Sequence, residues 1–344
     1  MTTMMQWRMD EHGADALRLD AVALPEPGPG EVLVRVGAVS LNYRDKMVIA
    51  NGMGMRLAFP FTPGSDLAGT VVATGPGTGL WRSGDRVISA FFPDWRDGPI
   101  PGTAATPGTR ALGGTYPGVL AQYVALPEAW FVRAPATLDD VAASTLPCAG
   151  LTAWSALADQ DRLRPGETVL VHGTGGVSLF AAAIAKRAGA IVIAVSGSAE
   201  KLDRLRALGL ADHGIDRSGE DWGAAVLRVT GGRGVDHIVE TVGGSNLAGS
   251  LRVAAPGGRV SLIGVLDGFG VSATAGDLLM KNTVVRGIAV GHRRALEEFV
   301  SAVDQTALTP VIDATYPMAA LRDALAHLDR GPFGKIVVTI GADG

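Results

Sequence analysis

The sequence predicts an α/β protein in which a β-rich unit, interrupted along the chain, is split around a doubly wound parallel sheet. Three observations predict it. Between Val22 and about Leu138, short apolar runs are separated by glycine and proline, the pattern of strands and turns. Between about Ala149 and Gly287, apolar strand-like runs alternate with helical ones, the rhythm of a parallel sheet covered by helices on both faces. After Val290, two amphipathic stretches precede a last strand that returns the chain to the first unit. The expected domains are therefore residues 1–148, 149–287 and 288–344, the first and third forming one body.

In the first stretch, EVLVRVGAVSLN, DLAGTVVATG, GDRVISAFF and GVLAQYVALP are the candidate strands. The second begins with Thr168 to His172, a short β-branched run. The helix after it carries Leu179, Ala182, Ala183 and Lys186 at helical spacing, with Lys186 and Arg187 complementing its C-terminal dipole and Gly189 capping it before the apolar run Ile191 to Val195. VDHIVETVGG, the helix and turn SNLAGSLRVAAPGG, and RVSLIGV repeat that unit. In the tail, helices are expected around Ala295 to Thr306 and Met318 to Asp329, and a strand from Lys335 to Ile340.

Between strand and helix stands Gly173-Thr174-Gly175-Gly176-Val177-Ser178. Gly173 and Gly175 make a turn without Cβ atoms, so a pyrophosphate can approach the N–H groups of a helix N-terminus. A glycine triplet alone is weak evidence, but here it sits between a strand and a helix, as a dinucleotide site requires. Ser178 replaces the third glycine. The carboxylate expected about twenty positions further on, to hold the adenosine ribose, is replaced by Ser196. A carboxylate there would repel a 2′-phosphate, whereas Ser196, Ser198 and Lys201 offer hydroxyls and a cation, with Arg217 after the next strand as a further candidate. The expected cofactor is NADP(H). The rival reading turns Glu200 inward to hold the ribose of NAD and leaves Lys201 solvated. Open parallel sheets bind ligands beyond the carboxyl ends of their strands, so Thr241, Val242 and Gly243, then Ile263, Gly264 and Val265, are expected along the nicotinamide ribose. His172 and Asp236 read as structural.

Composition narrows the remaining classes. With 344 residues, 47% apolar and 19% charged, the chain has the make-up of a two-domain enzyme. A net charge of −4 with no basic run excludes a polyanionic partner such as nucleic acid. No stretch reads as a membrane span, and the acidic N-terminus lacks a signal peptide's apolar core, so a cytoplasmic protein is expected. The single cysteine, Cys148, excludes internal disulfides and a cysteine-rich zinc cluster. From Phe91 to Gly118, eleven of twenty-eight residues are glycine or proline, a length and composition that mark a functional or mobile loop. Phe91, Phe92 and Trp95 would either wall an apolar substrate site or pin that loop down.

LNYRD at Leu41 to Asp45, PGSDLAGTV at Pro63 to Val71, GDRV at Gly84 to Val87, LPCAGLTAW at Leu146 to Trp154, VHGTGGVS, and FGKIVV at Phe333 to Val338 together resemble the medium-chain dehydrogenase/reductase superfamily. The resemblance covers the whole length and is nearest to the zinc-independent, quinone oxidoreductase-like branch. It implies a GroES-like catalytic domain split around a Rossmann domain, an active site in the cleft between them, and a homodimer joined through edge strands of the nucleotide domains. By resemblance and position, Asn42, Tyr43, Asp45 and Ser65 would border the substrate, with Cys148 and Thr152 nearer the nicotinamide. The segments Gly291, His292, Arg293 and Phe333, Gly334, Lys335 would approach cofactor or substrate. For Lys335 the alternative is a surface charge at a strand start. Tyr43 is the candidate proton donor or oxyanion partner, against a packed tyrosine bonded to backbone. Where zinc members of the superfamily place a cysteine, a histidine followed by glutamate, and a second cysteine, this chain has Asn42, Ser65 with Asp66, and Cys148. One such donor of three remains, too few for tight zinc binding, so no metal is expected; Asp66 with Cys148 would hold one weakly at best.

Without a metal, such a site still suits hydride addition to quinones or conjugated enones, because the resulting anion is held by hydrogen-bond donors alone. The leading expectation is an NADPH-dependent reductase of quinones or α,β-unsaturated carbonyls. The alternatives are a metal-free alcohol dehydrogenase or aldehyde reductase, and a protein that binds NADPH without useful turnover.

Overall fold

The computed structural model describes residues 2–106, 108–159 and 162–341. By contact density the chain divides into one unit of Met1–Leu151 with Gly291–Gly344 and a second of Thr152–Val290.

The first unit opens with a hairpin of β1 (Thr3–Arg8) and β2 (Arg18–Ala23) that the sequence pattern did not announce. Its main sheet contains β3 (Glu31–Leu41), β4 (Asp66–Thr74), β5 (Arg86–Ser89), β6 (Tyr123–Pro127) and β7 (Phe131–Arg133). It is completed by β14 (Ile312–Pro317) and β15 (Lys335–Thr339), in the order β14-β15-β3-β4-β5-β7, with β6 also paired to β3. The long β3 is the hub, and Val32, Val34, Val36, Val39 and Leu41 bury their side chains in the core around it. Two of its pairings join residues far apart in sequence: Ile336 lies opposite Leu41, and Asp66 lies opposite Ser40. The end of β3 is therefore flanked by the starts of β15 and β4, one from the tail of the chain and one from its first part. A helix, Tyr43–Asn51, follows β3 directly, and the Asp45 carboxylate reaches back to accept the Asn42 N–H at 2.8 Å.

The second unit is a six-stranded parallel sheet: β8 (Thr168–His172), β9 (Ile191–Ser196), β10 (His213–Asp216), β11 (Val235–Glu240), β12 (Ala254–Leu262) and β13 (Val284–Gly287). Its order, β10-β9-β8-β11-β12-β13, is the doubly wound 3-2-1-4-5-6 arrangement, whose strand order reverses beside the first strand. β8 is buried along its whole length, as a strand covered on both faces must be, which accounts for its apolar centre Val169, Leu170 and Val171. Helices Gly176–Arg187, Ala199–Ala207, Trp222–Val229 and Asn246–Val253 make the crossovers.

Candidate functional site

In the second unit the turn after β8 is built as phosphate binding requires. Gly173 has φ 73°, a left-handed conformation that disfavours side chains, and Gly175 caps the helix Gly176–Arg187 with no side-chain bond to its first turn. A Cβ placed on Gly173 or Gly175 would meet nothing within 4 Å, so open space lies where those side chains would stand. The exposed Gly175 and the half-buried Gly176 and Val177 offer the first helical N–H groups, while Thr174 is buried. Ser178 does more than fill the third glycine position: its hydroxyl donates to the His172 carbonyl at 2.7 Å, tying the helix to the strand end, and the Thr241 hydroxyl donates to the same oxygen at 2.8 Å.

At the end of β9, Ser196 is buried and its hydroxyl accepts the Ser198 N–H, while Ser198 caps the next helix by accepting the Lys201 N–H. Arg217 donates its backbone N–H to the Ser196 carbonyl, and its Nε lies 3.3 Å from where a Gly197 Cβ would be. Its guanidinium is thereby laid across the Ser196–Ser198 turn. Lys201 is half-buried one turn into the helix, and Glu200 is exposed.

Glu240, at the end of β11, carries a role the sequence reading missed. Wholly buried, it accepts the N–H groups of Val242 and Gly243 at 2.8 and 3.0 Å, the Asn246 amide at 2.8 Å and the Ser250 hydroxyl at 2.5 Å. One carboxylate thus shapes the turn beyond the strand. His172 Nε2 bonds Ser250 at 3.0 Å and packs edge-on to Trp222; burial lowers its pKa, the Glu240 charge opposes that shift and Arg217 adds to it. The imidazole is neutral and structural. Asp236 is structural too, accepting Thr168 and Arg233. Beside the Glu240 turn, Ile263 and Gly264 donate their N–H groups to the Glu240 carbonyl, and a Cβ on Gly264 would stand 1.7 Å from the Thr241 oxygen. Thr241 to Gly243 and Ile263 to Val265 are therefore pressed together at the ends of adjacent strands.

In the first unit, strand pairing draws Asn42, Asp45, Ser65, Asp66, Cys148 and Lys335 into one polar cluster. Lys335 is a correction to the surface-charge reading: it is only 4% exposed, and its ammonium donates to the Leu41 carbonyl and to Asn42 Oδ1, both at 2.5 Å. Asn42 Nδ2 donates to Ser65 Oγ at 3.3 Å, Ser65 donates to Asp66 Oδ1 at 2.5 Å, and Asp66 Oδ2 accepts the Cys148 N–H at 3.0 Å. Burial raises the Asp66 pKa against the opposing charge of Lys335, and burial pushes Asp45 to about 6 although Arg44 lies 3.6 Å away. Cys148 is partly buried on a π-turn, Leu146–Gly150, and burial with the Asp66 charge pushes its thiol up.

Tyr43 departs from the packed reading: it is 45% exposed, and Lys46 lies 5.5 Å from its ring centroid. Gly291, His292 and Arg293 lead into the helix Arg293–Thr306. His292 accepts the Ala295 N–H to cap the helix Arg293–Thr306 and packs edge-on to Trp95, whose carbonyl accepts the Arg293 N–H. Trp95 thus pins the long loop to that helix; Pro107 in the loop lies outside the described residues. Phe91 packs against Phe92 and under the Arg44 guanidinium. Phe333 is buried in the turn before β15, and Thr152, also buried, begins the second unit. Among the described residues no three His, Cys, Asp or Glu side chains gather as ligands for a metal, and no helix is long and apolar enough to cross a membrane.

Residues 28–136 match the alcohol dehydrogenase GroES-like domain family, and residues 176–305 the family described as zinc-binding dehydrogenase. The zinc-type alcohol dehydrogenase-like protein C1773.06c of Schizosaccharomyces pombe is 36% identical over 95% of this chain and 96% of its own. The quinone oxidoreductase of Rattus norvegicus is 28% identical over 95% of each. A crystal structure from Sinorhizobium meliloti 1021, described as a candidate alcohol dehydrogenase, superposes with a TM-score of 0.96 at 55% identity, covering 99% of this chain and 100% of the other.

Proposed function

The chain belongs to the medium-chain dehydrogenase/reductase superfamily, nicotinamide-dependent oxidoreductases, and from that premise we propose that it is an NADPH-dependent reductase of quinones or α,β-unsaturated carbonyls that works without zinc. The observation that carries the reading is the donor set at Asn42, Ser65, Asp66 and Cys148. Both Asp66 oxygens are engaged by Ser65 and the Cys148 N–H, the Asn42 oxygen is engaged by an ammonium, and Cys148 is the one thiol or imidazole among the four. That set does not fit a tetrahedral zinc, which takes thiolates, imidazoles or free carboxylates.

The glycine turn fits a pyrophosphate: a Cβ on Gly173 or Gly175 would meet nothing within 4 Å, and no side chain caps the first turn of the helix Gly176–Arg187. Ser196, Ser198, Arg217 and Lys201 fit a 2′-phosphate, and no carboxylate occupies the end of β9 to repel it. A bound nicotinamide supplies a hydride. When a hydride adds to the terminal carbon of an enone, the displaced electron pair settles on the carbonyl oxygen, and a proton from Tyr43 or water completes reduction. The first unit's part is to hold that oxygen by hydrogen-bond donors, with Asn42 and the exposed Tyr43 hydroxyl as the groups of the right kind. Two copies joined through β13 are part of the same proposal.

Purified protein would be assayed for NADPH and NADH oxidation with a panel pairing quinones and cyclic enones with saturated aldehydes of similar size. Turnover of the conjugated members with NADPH is expected. Aldehyde turnover reversible with the alcohol would replace this reading by the alcohol dehydrogenase one, and no turnover at all would leave a binding protein. Arg217→Ala and Lys201→Ala are expected to weaken NADPH but not NADH, each by about 1.5–3 kcal/mol where a charged hydrogen bond is lost. Equal weakening of both cofactors by both variants would remove the 2′-phosphate assignment.

A further inference from the structure

The polar cluster of the first unit has a direction, and one residue sets it. An ammonium can only donate, so the Asn42 carboxamide must turn its oxygen to Lys335 and its nitrogen to Ser65. The Ser65 hydroxyl, receiving from Asn42, has one proton left to give, and it gives it to Asp66. Asp66 ends the chain as an acceptor, and its other oxygen receives the Cys148 N–H. We propose that Lys335 is a positioning residue of this site: it fixes the direction of the chain Lys335 to Asn42 to Ser65 to Asp66, and through Asp66 it holds the Cys148 turn in place. The role in turnover rests on the reductase reading; the chain itself does not.

With Lys335 replaced by an apolar side chain, the carboxamide oxygen keeps only the Asp45 backbone N–H of the capping box. Rotation then costs that one bond, and a protonated Asp66 donates to Ser65 while Ser65 donates to the rotated Asn42, so the chain runs backwards. The lysine is what weights the site against that second state. The groups facing Asp66 from each packed element are Lys335 at the start of β15, Asn42 at the end of β3, Ser65 beside it, the Cys148 N–H, and Asp45, whose own neighbours are Arg44 and Lys335. Among them Lys335 is the cation with the largest influence on Asp66.

The test uses full-length protein labelled with 13Cγ-aspartate, with the Asp66 carboxyl signal assigned by its loss in Asp66→Asn. In Lys335→Met, Asp66 is expected to take its proton about one pH unit or more higher than in the parent protein, the scale of losing a buried opposite charge. Lys335→Gln, uncharged but of similar length, should do the same and serves if the methionine variant does not fold; Lys335→Arg should restore the parent titration. An Asp66 signal unmoved in both uncharged variants overturns the proposal. In enone reduction, the acid limb of the kcat profile should move up with the Asp66 titration while the NADPH KM stays constant. A fall in kcat with no movement of that limb would reduce Lys335 to a packing role. Absence of turnover in the parent protein defeats the reductase reading, and the carboxyl titration still decides the chain.

Discussion

Asp45 shows what a single buried carboxylate costs and gains. Its oxygen starts the helix Tyr43–Asn51 by accepting the Asn42 N–H, yet burial raises its pKa to about 6 from an unfolded value of 3.8. A carboxyl whose folded pKa is raised binds its proton more tightly in the native state, so stability is full below the unfolded value and falls as pH rises towards 6. An asparagine keeps the accepting oxygen without the charge. Relative to the parent protein, Asp45→Asn should therefore gain about 2–3 kcal/mol on going from pH 4 to pH 7. Urea unfolding of both proteins at the two pH values checks this, and a stability difference independent of pH would show that Asp45 is as easily ionised folded as unfolded. Glu240 is equally buried, but it accepts four donors where Asp45 is given one.

At the scale of elements, the strand-end turns of the second unit at Gly175 and Gly264 differ in what they tolerate. Gly175 has an ordinary φ of −78° and open space at its Cβ position, so Gly175→Val should leave the thermal midpoint unchanged while weakening dinucleotide binding by tenfold or more, about 1.4 kcal/mol. Gly264→Ala places a methyl 1.7 Å from the Thr241 oxygen and should lower the midpoint instead. Calorimetry with a cofactor titration separates the two effects; a destabilised Gly175→Val would mean the space is not open. The first turn was legible in the sequence because strand, glycines and helix are contiguous. The cluster around Asn42 was legible only as a set of residue types. Lys335 lies 293 positions from Asn42, and the two meet because Ile336 pairs with Leu41, a register that no local pattern announces. Glu240 was missed for a related reason: its donors come from a turn and helix that only the fold turns back onto the strand end. The hairpin of β1 and β2 and the helix Tyr43–Asn51 were missed because short, mixed-polarity segments carry little periodicity.

For the molecule as a whole, the order of elements makes the first unit wait for the end of the chain. β15 lies between β14 and β3 in its sheet, so the core that contains Leu41, Leu67, Ile336 and Val338 closes only when the last strand arrives. The second unit depends on no such return, since all six of its strands lie between Thr168 and Gly287. Its two sheet edges differ in kind. β10 is flanked by Asp212 and Arg217 and contains Asp216, charges of the sort that discourage edge pairing. β13 presents Val284 and Val285, both exposed, four positions after the exposed Met280 and five after the exposed Leu279, and has no second strand partner among the described residues. A two-fold axis through that edge would pair β13 antiparallel with its copy and bury the same apolar side chains on both sides. Val285→Lys would then place two ammonium groups close together across the axis. Light scattering after size exclusion should find the parent protein dimeric and Val285→Lys shifted to monomer with NADPH binding retained. A monomeric parent at micromolar concentration would leave the edge without that partner, and a dimer indifferent to Val285→Lys would move the interface to another face.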